Sequence, residues 1–321
     1  MGDFDTVKAQ GNIEEPYVVA VVLTWNDAEL TTKCLASLHE SDYANMDIVL
    51  VDNGSMPARG PELLERFPSI RLVQLQENQG FSGGANRGFE TALEMGADYV
   101  HLIGNDATIA PHTTSALVVE CEARPDVGAA SPLLLDPGEP KIVQFYTATL
   151  DRDTARHFHH YMGEPYEPGR WPVTESEFIP MVALFFRSKA LRQVGLLDES
   201  FGTCWEDFDL CLRFHDAGWK YITVGEATAT HISGYTTGRV SPYITYYTTR
   251  NRLICLERYA APGTWRREWM LLLRTFWVQM KGYGLTNWAC HKAFFRGFFD
   301  YLVNVHGERR LTGPGNIPGQ S

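Results

Sequence analysis

The chain has 321 residues, 44% of them hydrophobic, with eight Trp and seventeen Phe, enough apolar material for one large α/β domain or two small ones. Its formal net charge of -11 excludes a phosphate-tracking nucleic-acid surface, which needs clustered Lys and Arg. The six cysteines (Cys34, Cys121, Cys204, Cys211, Cys255 and Cys290) form neither a CxxC pair nor a close-set framework, which excludes a zinc ribbon and a disulfide scaffold.

Residues 1–15 are polar, with no basic n-region and no apolar h-region. A flexible leader on a cytoplasmic protein is therefore expected. From Tyr17 to Leu23 a valine-rich run predicts a buried strand that delivers Thr24-Trp25-Asn26 at its carboxyl end, and from Asp47 to Val51 a second strand ends in Asp52-Asn53-Gly54-Ser55. Between them Leu30, Cys34, Leu35 and Leu38 fall at helical spacing, so the opening unit is a right-handed parallel crossover.

A third strand, from Arg71 to Gln76, leads into a glycine-rich turn (Gly80, Gly83, Gly84, Gly88), and a helix through Phe89, Ala92 and Met95 follows. A fourth strand, from Tyr99 to Ile103, ends in Gly104-Asn105-Asp106. Ligands of open α/β sheets sit beyond the carboxyl ends of the strands, where Asp52, the glycine-rich turn and Asp106 all fall. Residues from about 136 to 177 have weak periodicity and read as irregular excursions. A strand from Phe178 to Arg187, a short helix, Trp205-Glu206-Asp207-Phe208-Asp209 and a helix from Leu210 to Ala217 closed by Gly218 complete the series.

From Arg258 to Arg310 nine Lys or Arg stand against Glu268, Asp300 and Glu308, so the tail is basic although the chain is acidic. From His291 to Val305 the residues Lys292, Arg296, Asp300 and Asn304 form a polar stripe, with phenylalanines on the other faces of an amphipathic helix. The stretch from Trp269 to Met280 is too short to span a bilayer.

The motifs carry their own chemistry. An acidic protein that binds a diphosphate must neutralise it with a divalent metal or a few placed cations, and Asp106 at a strand end suits a hard cation. Glu206 and Asp207 stand at a helix start, where the dipole favours carboxylates, and a carboxylate can take the proton of an acceptor hydroxyl. Gly80, Gly83 and Gly84 permit close backbone approach, Arg87 suits a phosphate, and Trp205 suits an apolar sugar face. Taken singly, each has a plain alternative: a turn-capping Asp, helix-capping acids, a packed Trp. There is no GxGxxG, so a dinucleotide fingerprint is missing.

The ordered series TWN, VDNGS, ENQGFSGGANRG, GND, WEDFDLCLR, a lone His231 and YYTTRNR, from about Val18 to Arg252, resembles the family 2 glycosyltransferases, especially bacterial rhamnosyltransferase-like members that build surface polysaccharides. The resemblance implies a GT-A fold, α/β with a mostly parallel, Rossmann-like sheet, over residues 16–257, followed by a basic helical extension over 258–321. It implies a nucleotide-sugar donor (a UDP- or dTDP-sugar), an inverting displacement with Asp207 as base and Glu206 and Trp205 at the acceptor, and Mg²⁺ or Mn²⁺ held by Asp106 and His231. Thr24, Asn26, Asp52, Asn53, Gly80, Gly83, Asn86, Arg87, Asn105 and Asp106 would line the donor site, with Asp52 on the base. Arg250 is placed either near the diphosphate or in a domain-closing ion pair. Members often carry two acids where this chain has Asn105-Asp106, so weak metal affinity without nucleotide is expected.

Two other classes remain in view: a silent nucleotide-sugar-binding module, and a metal-dependent nucleotidyltransferase, which normally wants a Lys- or Arg-rich loop where this chain reads TWNDAEL. For the tail the partners are an acidic membrane face bearing a glycan or lipid-linked acceptor, the catalytic domain, or a second copy in a homo-oligomer.

Overall fold

Strand β1 (Val18–Thr24) is buried along almost its whole length, as a valine-rich strand covered on both faces must be. In the computed structural model, which describes residues 15–232, 241–263, 276–277 and 287–307, it pairs in parallel with β2 (Met46–Asp52) and β4 (Tyr99–Gly104), and β2 pairs in parallel with β3 (Arg71–Gln74). Helix α1 (Ala28–His39) makes the first crossover, and its N-cap Asp27 accepts from Leu30 N at 2.9 Å. Helix α2 (Gly60–Arg66) makes the second.

The sheet continues past β4 through β11 (Ala183–Arg187), β6 (Val127–Leu135) and β12 (Lys220–His231), and ends at the short β10 (Thr174–Glu175). Strand β11 is antiparallel to both neighbours, which leaves β3, β2, β1, β4, β6 and β12 all running one way. The sheet is therefore mixed but mostly parallel. Helix α4 (Thr113–Ala123) packs on β6 and β12, while α5 (Ser188–Val194) follows β11 and α6 (Glu206–Asp216) precedes β12. Strand β5 (Ala107–Ile109) pairs antiparallel with the end of β12, opposite Ala229 to His231.

Several expectations are revised. The glycine-rich stretch is not a turn before a helix but the first half of α3 (Gly80–Glu94). Its glycines serve helix-to-sheet packing: a Cβ at Gly88 would stand 2.2 Å from Val21 Cγ1, and one at Gly84 would stand 2.7 Å from Leu23 Cδ1. The middle segment holds β7 (Val143–Phe145), paired with β6, and a hairpin of β8 (Thr147–Asp151) and β9 (Arg156–His160). The strand expected from Phe178 begins only at Ala183, because Pro180 has no N–H for a ladder.

The expected domain boundary at 257/258 falls inside α7 (Pro242–Tyr259). Arg258 reaches back to Asp198 at 2.6 Å and to the buried Asp209 at 3.1 Å, so the segment after 257 begins as part of the catalytic unit. Helix α8 (Trp288–Leu302) packs on α7. The expected polar stripe is broken at Asp300, which is buried: Cys290, His291, Ala293, Phe294, Gly297 and Asp300 face inward, and Trp288, Phe295, Phe299 and Leu302 are exposed beside Lys292 and Arg296. The cause is local. Gly297 lets the helices cross closely, since a Cβ there would meet Tyr246 O at 2.6 Å, and Asp300 accepts from Tyr246 Oη at 2.8 Å. The stretch expected between 269 and 280 lies outside the described residues except for Phe276 and Trp277, as does the leader except for Glu15.

Candidate active site

The carboxyl ends of β1, β2, β4 and β12 carry Thr24, Asp52, Gly104 and His231 to one edge of the sheet. Antiparallel pairing of β5 with β12 sets His231 opposite Ala107, and Ile232 N donates to Asp106 O at 3.0 Å. Two residues far apart in sequence are thereby brought together: His231 Nε2 stands 3.6 Å from Asp106 Oδ2, with both side chains mostly buried.

The tautomer of His231 is set by a residue that sequence reasoning missed. Gln144 Nε2 donates to Asp136 Oδ1 at 2.8 Å and to His231 O at 3.0 Å, so its Oε1 is the atom facing His231 Nδ1 at 2.6 Å. An amide oxygen only accepts, so Nδ1 carries the proton of this contact and Nε2 is the ring nitrogen turned toward Asp106. An imidazole nitrogen and a carboxylate oxygen at this spacing fit a divalent cation between them. No group of three or more His, Cys, Asp or Glu suited to a metal occurs among the described residues. Gln144 lay in the segment read as irregular; no spacing marks it.

The expected donor-site residues divide. Asn26, at φ 60°, accepts from Met56 N through Oδ1 at 2.8 Å and donates its own N–H to Ser55 Oγ at 2.8 Å, tying the loops after β1 and β2 together. Thr24 Oγ1 lies 2.7 Å from Thr31 Oγ1, to which Asn105 Nδ2 donates at 3.2 Å, so Thr24 and Asn105 brace the floor of this edge. Asp52 is fully buried, and its carboxylate accepts from Ser55 N (2.9 Å), Arg59 N (2.7 Å) and Gly60 N (2.9 Å). Burial raises its pKa and these bonds more than offset that, leaving it below the usual carboxylate range. The structure thus gives Asp52 the duty of shaping the loop over residues 53–60.

Asn53 likewise works on backbone: Nδ2 donates to Gly80 O at 2.9 Å and Oδ1 accepts from Gln79 N at 3.0 Å, which anchors the start of α3. Gly80, at φ 73°, begins that helix, and a Cβ at Gly83 would stand 2.8 Å from Gln79 Cβ. Asn86 and Arg87 turn away from the expected role. Asn86 Oδ1 accepts from Leu197 N at 3.0 Å and Nδ2 donates to Leu197 O at 2.9 Å, while Arg87 pairs with Glu90 at 2.7 Å and Glu199 at 2.9 Å. In this structure the side chains of Asn86 and Arg87 are thus engaged by the loop before α6 and by Glu90.

That loop comes to the same edge of the sheet, because Ser82 N donates to Gly202 O at 2.9 Å. It delivers Trp205 as the N-cap of α6, with Glu206 and Asp207 in the first turn rather than before the helix. Glu206 is buried, and among the described residues its Oε2 has no hydrogen-bond partner. Burial, and then the charge of Asp207, push the Glu206 carboxyl well above its ordinary range. Burial raises Asp207 to about 6. Trp205 packs edge-on to Phe208 at 5.1 Å and lies 6.1 Å from His157, whose ring stacks on Phe178 at 4.0 Å, so an aromatic wall borders the acids. Asp209 is buried and structural: it accepts from Arg213 Nε at 2.8 Å and Tyr259 Oη at 2.5 Å. Arg250 is wholly buried, so a contact with diphosphate is replaced by backbone contacts described below.

A mostly parallel sheet flanked by helices, with polar residues gathered at the carboxyl ends of its strands, is the arrangement of a glycosyltransferase of the GT-A type. The chain belongs to glycosyl transferase family 2, whose model matches residues 19–191. It is 26% identical over 280 residues to the N-acetylglucosaminyl-diphospho-decaprenol L-rhamnosyltransferase of Mycobacterium tuberculosis, an alignment that covers 79% of this chain and 90% of the relative. Among solved structures it resembles GalNAc-T7 with UDP, GalNAc and Mn²⁺ (TM-score 0.61, 14% identity, 77% of this chain and 48% of that one) and Staphylococcus aureus TarS 1–349 (TM-score 0.53, 14% identity, 76% and 66%). Asp207 and His231 lie beyond the matched span of the family model.

Proposed function

We propose that this glycosyltransferase moves a sugar from a UDP- or dTDP-sugar to a hydroxyl acceptor with inversion, in the synthesis of a surface polysaccharide. The observation that carries the reading is the meeting of Asp106 and His231 at 3.6 Å, at the sheet edge to which α6 brings an unpartnered buried carboxyl. Asp207 accepts the proton of the acceptor hydroxyl as its oxygen attacks the anomeric carbon. The bond from that carbon to the diphosphate oxygen breaks, and the nucleoside diphosphate leaves with the electron pair. Glu206, at the apolar wall formed by Trp205, orients the acceptor through the oxygen that lacks a partner. A Mg²⁺ or Mn²⁺ ion held by Asp106 and His231 would neutralise charge on the leaving diphosphate. Release of a nucleoside diphosphate rather than pyrophosphate, measured with a panel of sugar nucleotides, tests the reaction class; no release with any donor would leave a silent binding module.

Gln144 should matter to the cation without touching it. Gln144→Leu is expected to weaken Mn²⁺-dependent binding of the nucleoside diphosphate about 10–100-fold, because the imidazole loses its fixed tautomer and orientation. Calorimetry of UDP and dTDP with and without Mn²⁺ reads this directly, and an unchanged affinity would remove Gln144 from the site.

The acceptor is read as a glycan or lipid-linked alcohol, and the protein as peripheral on the cytoplasmic face of a membrane. The support is the exposed side of α8, where Trp288 (69% exposed), Phe299 (60%), Phe295 and Leu302 lie beside Lys292 and Arg296, a face suited to an acidic lipid surface. The relative's printed activity, on a decaprenyl-diphosphate acceptor, points the same way. No helix among the described residues is long and apolar enough to cross a membrane. The protein is expected to float with vesicles rich in acidic phospholipid, and Trp288→Ser with Phe299→Ser to reduce binding on the order of ten-fold or more. A second copy of the chain on this face would instead appear as a dimer, with no flotation, that these substitutions dissociate.

A further inference from the structure

The turn that presents the two acids is conformationally unusual. Gly202, Cys204 and Trp205 have φ of 71°, 63° and 73°, and for Cys and Trp this left-handed region crowds Cβ against the backbone carbonyl. Such a conformation persists only where the surroundings over-determine it. Beside the backbone bond from Ser82 N to Gly202 O, the side chain that reaches most of this turn is Asn251 of α7. Asn251 Nδ2 lies within hydrogen-bond distance of the carbonyls of Phe201 (2.9 Å), Thr203 (2.7 Å) and Cys204 (2.7 Å), its two N–H bonds shared among three oxygens, which gathers the turn on a single amide.

The orientation of that amide is fixed in turn. Arg250 Nε donates to Asn251 Oδ1 at 2.8 Å, and the rest of its guanidinium reaches Phe201 O (2.7 Å), Ser200 O (3.2 Å), Gly307 O (3.0 Å) and Tyr246 Oη (3.4 Å). The cation lies over the Tyr247 ring at 4.9 Å, and both Arg250 and Asn251 are fully buried. Gly307 follows α8, so the same guanidinium bonds the catalytic turn and the chain beyond the last helix.

We propose that Asn251, oriented by Arg250, is a positioning residue that holds the turn over residues 200–205, with Cys204 and Trp205 in their left-handed conformation, and thereby sets Glu206 and Asp207 for the acceptor; this rests on the reading of Asp207 as the base. It acts through the backbone and touches neither donor nor acceptor. Trading the amide for a methyl removes the Asn251 contact from the carbonyls of Thr203 and Cys204, leaves Phe201 O to Arg250 alone and lets the turn relax, and a glycine at position 204 removes the crowding that the amide opposes.

The test uses the full-length protein. Asn251→Ala is expected to unfold cooperatively, to bind UDP or dTDP with Mn²⁺ nearly as the parent does, and to lose about 10²-fold in kcat with little change in KM for the donor. Adding Cys204→Gly to that variant should recover about ten-fold of the loss, an effect that a general loss of stability would not show. In protein labelled with 5-fluorotryptophan, the ¹⁹F signal of Trp205, assigned by its disappearance in Trp205→Phe, should shift or broaden in Asn251→Ala and return in the double variant. If Asn251→Ala fails to fold, Arg250→Lys, which keeps the charge but loses the bond to Asn251, is expected to show a smaller kcat loss with the same rescue. Parent-like kcat and an unmoved Trp205 signal, or a kcat loss that Cys204→Gly leaves untouched, overturn the proposal. Should the parent transfer no sugar at all, the base assignment falls, and the fluorine signal still decides the clamp.

Discussion

Asp207→Asn is expected to lower kcat by about 10²–10⁴-fold, the usual contribution of a positioned general base, while nucleoside diphosphate binding stays within about two-fold. The amide keeps the shape of the side chain and its acceptor oxygen, which receives Phe208 N at 2.8 Å, so the change removes the charge and little else. The same substitution should stabilise the protein at pH 8. Burial raises Asp207 to about 6 in the folded chain, against about 3.9 for a free aspartate, so the folded state binds the proton more tightly than the unfolded one. Stability is therefore greatest below the unfolded value and falls as pH rises through that window. Above it the ionised side chain costs about 1–2 kcal/mol after discounting for partial exposure, and removing the charge should raise Tm by a few degrees at pH 8 and hardly at pH 4. The parent's kcat should rise with pH through about 6, where Asp207 loses its proton. A variant with parent turnover, or an acidic limb near pH 4, would move the base elsewhere.

Asp106→Ala should reduce kcat/KM on the order of 10²–10³-fold, because it removes the anionic one of the two side chains proposed to hold the cation, an interaction worth several kcal/mol at a diphosphate. His231→Ala should act on the same quantity. If both residues hold one ion, their effects will not add: the double variant will lose little more than the worse single one. The direct measurement is titration of UDP or dTDP with and without Mn²⁺, in which the parent gains affinity from the metal and either variant loses that gain. Undiminished Mn²⁺ dependence in Asp106→Ala would place the cation, and with it the leaving group, elsewhere.

Local pattern carries much of this protein. A valine-rich run followed by a polar triplet specifies a buried strand with its ligand end exposed, and two such runs around a helical repeat specify the crossover, because period and burial are properties of a few neighbouring residues. The family could be read the same way, since its motifs are contiguous and ordered, and so could the candidate roles of Asp106, His231, Glu206 and Asp207. Where the reading slipped, the signal was not local. Gly84 looks like part of a ligand-approach turn until β1 beneath it sets Leu23 Cδ1 2.7 Å from where a Cβ would stand. Asn86 and Arg87 look like donor ligands until Leu197 and Glu199, more than a hundred residues later, take their polar atoms.

The chain's own order of residues therefore settled the class of fold and the family, and it named the strand ends and the acids on which the proposed site is built, all of which follow from side-chain period and from motifs a few residues long. Tertiary structure alone decided which of those polar groups remain available and which are held by backbone. It supplied Gln144 behind His231 and Asn251 beneath Cys204, and it turned the aromatic side of α8 outward. The reason is that a hydrogen bond between distant segments depends on sheet register and helix crossing, and neither is encoded within any single window of sequence.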